Sequence, residues 1–446
     1  MTKQSFARSG GAFALAAMLV ALTGCDLFGS SKPPLPGERV AVSSQDTDAK
    51  PDPDAGASGP LTLPKPVSND SWPQSGGFAH YSMQHLALAD APQIAWTASV
   101  GAGSTYERQL LAPPIVAEGR VFVKDALSSV SAFDAATGAL VWRKRLEPKK
   151  SRDADEFGGG LAFYGGRLFV TTGFADVFAL NPATGDEIWR APASAPVRGA
   201  PTVFQDRVLS ISIDSRLQAL AAVDGSPLWD YSALSESAAF MAGASAAAAG
   251  EVVVAPFSSG ELVALRLDNG RQAWNESLVG SRRGAGAVAA LTDIRSRPVI
   301  DGDRAIAIGS AGQIAAVDLR SGTRLWDRQI AGAQTPWVAG GFIFIISGAA
   351  EVICLNREDG KIRWVTPLTA FKDEKKKKDP LLWSGPVLAG DRLLVAGSNG
   401  ELLSLSPYDG KPLGKIVIGS PVLIAPIVAD RTAYVLTDSG RLIAIR

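Results

Sequence analysis

The 446-residue sequence predicts an all-β fold: an eight-bladed β-propeller whose ring is closed by an N-terminal strand that completes the last blade. Three observations predict it. A turn ending in Gly is followed four residues later by Trp in six places. Short apolar strands separated by Gly or Asp turns fill the intervals, and the two ends of the array are incomplete in complementary ways.

The motif copies are Thr137-Gly138 before Trp142, Thr184-Gly185 before Trp189, Asp224-Gly225 before Trp229, Asn269-Gly270 before Trp274, Ser321-Gly322 before Trp326 and Asp359-Gly360 before Trp364. A seventh, Asp409-Gly410, has Gly414 where Trp is expected. Successive Trp positions are 47, 40, 45, 52 and 38 residues apart, which is the period of four-stranded propeller blades. A short polar residue followed by Gly makes a tight hairpin turn that needs positive φ. The Trp is then expected to pack between blades. The fullest copy, Ala132 to Trp142, resembles the repeat of the pyrroloquinoline-quinone (PQQ) enzyme superfamily.

Blade counting rests on the ends. The last unit, 423–446, stops where its Trp strand should come, and Gln93-Ile94-Ala95-Trp96-Thr97 is a Trp strand with no blade before it. Joining them completes an eighth blade and removes the free sheet edges of an open array.

Ahead of the ring, residues 1–24 carry Lys3 and Arg8 and then the apolar run Ala12 to Leu22, the layout of a secretory signal and too short to span a membrane. Leu22-Thr23-Gly24-Cys25 resembles the lipobox of bacterial lipoproteins, which implies an acylated Cys25 at the mature N-terminus. Asp26 follows it, a residue that in enteric bacteria favours inner-membrane retention. Residues 25–71 are rich in Ser, Pro, Asp and Ala and read as a flexible tether, so that the propeller is expected over 72–446.

Lys and Arg total 44 against 44 Asp and Glu, and loss of residues 1–24 leaves 42 against 44. That balance supplies no electrostatic reason for a nucleic-acid partner. Cys354, the one other cysteine, lies in an apolar strand and reads as a small buried hydrophobe. His80 and His85 follow Trp72 in a short segment expected to dock on the ring, with neither the spacing of a metal site nor a nucleophile motif. The run Lys372 to Asp379, with Lys375-Lys376-Lys377-Lys378 at its centre, reads as a solvated loop.

PQQ dehydrogenases hold their quinone with adjacent cysteines, a stacking Trp and a calcium site; this sequence has no adjacent cysteines, and no cofactor is expected. Lipobox, tether and eight repeats together resemble the BamB family, lipoprotein subunits of the outer-membrane β-barrel assembly (BAM) machinery. The resemblance implies a non-catalytic scaffold, lipid-anchored on the periplasmic face of the outer membrane, that docks on the barrel-forming subunit BamA and assists nascent outer-membrane proteins. Two stretches match the family's BamA-contacting loops. Leu291-Thr292-Asp293-Ile294-Arg295-Ser296-Arg297-Pro298 resembles its Leu-Ser-Asp-Val segment, which points to Asp293, Arg295 and Arg297 on an exposed loop. Ala233-Leu234-Ser235-Glu236-Ser237-Ala238 falls where the family has a Leu- and Arg-bearing loop, although Leu234 stands near the place of its Arg; Leu234 and Glu236 are the contacts implied. Two other classes stay open: a PQQ-dependent periplasmic oxidoreductase with an atypical site, and an envelope glycan-binding lipoprotein.

Overall fold

Four strands per unit follow from the alternation of three apolar runs with tight turns, and each unit forms one antiparallel sheet. The computed structural model describes residues 49–148, 158–234, 245–279, 293–310 and 312–446. Blades 1 to 7 comprise 115–145, 159–192, 202–232, 247–277, 299–328, 337–367 and 383–417, each a four-stranded sheet in chain order. Blade 8 takes three strands from 427–445 and its outermost from Ile94–Ser99. Thr97 pairs with Ile443 and Ser99 with Arg441, while Gln93 and Arg446 exchange both backbone hydrogen bonds at 2.9–3.0 Å. The predicted closure is present, with both chain ends of the blade hydrogen-bonded.

Burial falls along each sheet. In blade 1 the first strand, Ile115–Ala117, is wholly buried, whereas the fourth, Leu140–Arg145, is largely exposed. Apolar residues of neighbouring blades mesh between the sheets, as where Phe122 of blade 1 stacks on Phe163 of blade 2 at 6.4 Å.

The Trp motif joins the blades. Each indole Nε1–H donates to a carbonyl in the turn of the following blade: Trp96 to Ala135, Trp142 to Pro182, Trp189 to Ala222, Trp229 to Leu267, Trp274 to Leu319, Trp326 to Arg357 and Trp364 to Pro407, all at 2.8–3.2 Å. The ring covers the turn glycine so closely that a Cβ at Gly270 would lie 2.5 Å from the Trp229 indole. Within its own sheet every such Trp faces a small residue, Ala132 opposite Trp142 and Ala264 opposite Trp274, for example. Cys354 holds that place opposite Trp364, fully buried, and burial pushes its thiol pKa up. Gly414 lacks a Trp for a reason the topology supplies. Its indole would cover the last turn of blade 8, and there Gln93 and Arg446 pair with no turn between them.

A belt runs inside the ring. Asn69 bonds blade 8 through Val428, Trp72 exchanges backbone bonds with Val116 of blade 1, and the Pro73 carbonyl accepts from Phe163 of blade 2. The Gln74 side chain then completes an amide pair with Val203 of blade 3 at 2.8 and 3.1 Å. Ala79 reaches Ala248 of blade 4, His80 Ile300 of blade 5, Gln84 Trp337 and Gly340 of blade 6, and Leu86 Leu388 and Gly390 of blade 7. Residues 69–86 thus touch all eight blades in ring order. His85 is 1 % exposed, its Nδ1–H on the Pro64 carbonyl at 2.7 Å and its Nε2 accepting the Asp391 N–H at 3.0 Å.

Part of the stretch expected as tether, 25–71, lies on the ring, and its residues 25–48 are outside the described ones. From Asp52 the chain is fixed to blade 6: Asp52 pairs with the Ile362 backbone, Asp54 with Lys361 at 2.6 Å, and Arg363 donates to the carbonyls of Ala55 and Gly59. Composition misled there because Pro, Asp and Ala can satisfy their polar groups on a neighbouring sheet edge as well as in water. Residues 371–380 form a small hairpin, Phe371–Asp373 with Lys378–Pro380, whose Lys375, Lys376, Lys377 and Lys378 are exposed.

Candidate functional site

The connections that lead from one blade's outer strand to the next blade's inner strand carry the charged residues singled out above. Asp293 does not stand on an exposed surface. It is 1 % exposed and ion-paired to Arg198, itself 4 % exposed, from the connection before blade 3. Two connections 95 residues apart in sequence are therefore cross-linked by one buried pair. Arg198 was missed by sequence reasoning; its only signal is that it is the single charge in the stretch from Ala193 to Pro201.

Arg295 is exposed as expected. Partial burial lowers its guanidinium pKa, Asp293 opposes that shift and Arg198 adds to it. Arg297 turns inward. It is partly buried, and its guanidinium donates to Thr335 Oγ1 at 3.3 Å and lies 5.9 Å from the Tyr81 ring centroid. Burial pulls its pKa below the ordinary value, although an Arg remains charged at neutral pH. Leu234 is 72 % exposed, and Glu236 and Cys25 lie outside the described residues.

At the centre of the ring is a cavity of about 210 Å³ lined by the belt residues Trp72 and Tyr81, by Trp337, by the connections before blades 1, 5, 6 and 8 and by the first strand of blade 7. Trp72 and Trp337 stack at 6.3 Å with 19° between planes. Arg295, Arg297 and Asp438 are the charged groups of its lining. No cysteine lines it, Cys354 being enclosed within blade 6, and among the described residues no three His, Cys, Asp or Glu side chains cluster as metal ligands. The residues present do not fit a quinone held by paired cysteines over a calcium ion.

Fold and site together define a class: a closed eight-bladed propeller of PQQ-type repeats whose centre and connecting loops offer binding groups. Within that class the chain belongs to the family described as outer membrane protein assembly factor BamB, whose model matches residues 126–366 and 372–446. Similar sequences include the BamB proteins of Bordetella pertussis, 27% identical over 79% of this chain and 86% of that one, and of Burkholderia pseudomallei, 28% identical over 80% and 89%. Among solved structures, BamB from Moraxella catarrhalis superposes with a TM-score of 0.67 at 16% identity, covering 80% of this chain and 100% of that one. A quinohemoprotein alcohol dehydrogenase from Comamonas testosteroni reaches 0.66 at 15% identity over 84% and 80%, a likeness of fold.

Proposed function

We propose that this protein is a non-catalytic scaffold subunit of outer-membrane barrel assembly, held to the membrane by lipid on Cys25 at the periplasmic face and docked on a BamA-like subunit. The observation that carries the reading is the match of the family to nearly every blade of a closed ring. A rigid ring suits the task because its interblade loops hold side chains in fixed positions for a partner. Arg295 is the group best placed for contact, since it is exposed beside the Arg198–Asp293 pair that steadies its loop. Asp293 supports the contact from behind, and Arg297 serves the cavity side.

The test is affinity purification from detergent-solubilised envelopes. Wild-type protein is expected to recover a BamA-like barrel subunit, and Arg295→Gln to recover roughly tenfold less, because it removes a charge from the contact while placing no carboxylate beside Asp293. Recovery of no barrel subunit by the wild type would overturn the assignment, and equal recovery by the variant would remove the contact from this loop.

A further inference from the structure

Of the three charged groups that line the cavity, Arg297 and Asp438 make no ion pair among the described residues. Arg297 donates its one guanidinium hydrogen bond to the hydroxyl of Thr335, and Tyr81 is a neutral ring beside it. Asp438, in the turn between the second and third strands of blade 8, has a carboxylate oxygen buried without a hydrogen-bond partner. A third group is unused as well: the indole Nε1–H of Trp72, a residue 3 % exposed, is buried with no acceptor. Buried polar groups are ordinarily paired, and two orphans, the Asp438 oxygen and the Trp72 indole, beside an Arg that makes no ion pair in one cavity of about 210 Å³ need a common explanation. A water-filled space would meet part of the need, yet Trp72, Tyr81, Leu110, Trp337 and Ile424 make much of the wall apolar.

We propose that the cavity binds a short apolar peptide with free termini, its carboxylate received by Arg297 and its ammonium group by Asp438. The Arg297 guanidinium and the Asp438 carboxylate together match a ligand that carries one charge of each sign. Arg297 precedes the inner strand of blade 5 and Asp438 belongs to blade 8, three blades round the ring, so the ligand's charges stand further apart than those on one α-carbon. A di- or tripeptide meets that requirement, each extended residue adding at most about 3.6 Å. The Trp72 indole N–H is then available to a peptide carbonyl, and the stacked Trp72 and Trp337 rings to apolar side chains.

Titration calorimetry of the signal-free full mature chain with Leu-Leu, N-acetyl-Leu-Leu and Leu-Leu amide tests each charge separately. Leu-Leu is expected to bind at least tenfold tighter than either blocked form, because a hydrogen bond to a charged group is worth roughly tenfold or more in affinity. Arg297→Gln is expected to erase the preference for Leu-Leu over its amide while keeping the preference over the acetylated form, and Asp438→Asn the reverse. Should either variant unfold, the three ligands on wild-type protein still decide the matter. No binding of any of the three at 10-millimolar scale (~10 mM, a free energy near 3 kcal/mol), equal binding of all three, or a preference untouched by folded variants overturns the proposal.

Discussion

At the scale of single residues, the buried pair changes what Asp293 means. An exposed carboxylate is removed at little cost, whereas truncating one member of a buried ion pair strands its partner's charge away from water. Asp293→Ala is therefore expected to lower folding stability by about 3–5 kcal/mol in urea unfolding, while Arg295→Ala, on an exposed side chain, stays within about 0.5 kcal/mol. The double change Arg198→Met with Asp293→Leu should recover much of the loss, since two apolar side chains strand neither member of the pair. If Asp293→Ala melts like wild type, the pair is not a structural one, and a loss of partner binding in that variant could be read directly as a contact. With the pair as found, an Asp293 variant reports on folding as well as on binding.

At the scale of elements, the repeated unit is a turn and the indole that covers it. Gly270 has φ 71° and Gly119 has φ 70°, so an added side chain meets the same backbone strain at both. Their surroundings differ. A Cβ at Gly119 meets nothing within 4 Å, while one at Gly270 meets the Trp229 ring at 2.5 Å. Gly119→Ala is expected to cost about 1–2 kcal/mol from the left-handed backbone alone. Gly270→Ala adds a steric term of about 1–3 kcal/mol as the indole is pushed off its Leu267 carbonyl. Thermal melts of the two variants compare them directly, and equal losses would show that Trp229 yields without cost. The coupling thus runs between successive copies of the motif: the Gly permits the turn, and the preceding blade's Trp requires that Gly to stay bare.

At the scale of the molecule, a propeller has no edge only if its last blade is complete. Deleting 93–99 removes the outer strand of blade 8, with its pairing to Arg441–Ile445 and the Trp96 bond to Ala135 of blade 1. That deletion is expected to lower the melting temperature by more than 10 °C or abolish folding, and to promote association through the exposed edge (roughly 4–8 °C follow each kcal/mol in a small domain, less in a large one). Deleting an equal length of 26–48, ahead of the contacts that Asp52 makes, is expected to leave the melt unchanged. An unchanged melt for the strand deletion would mean that the ring is held by other means, for which the belt of residues 69–86 is the structural candidate.

The sequence by itself determined the number of blades, their order and their closure, because these depend on local chemistry repeated along the chain: a Gly turn, an apolar strand and a Trp at a fixed offset. The docking of the histidine segment was legible from its place, as a short stretch ahead of the first blade with no blade of its own. What only the tertiary structure decided depends on which distant residues the ring brings together. No local pattern relates Arg198 to Asp293, no periodicity marks 52–59 as part of the compact body, and nothing in Leu291–Pro298 says that Arg295 is exposed while Arg297 turns inward onto Thr335 and Tyr81. Pairing of buried charges is a matter of three-dimensional proximity in a medium from which water is excluded, and one-dimensional spacing does not encode it.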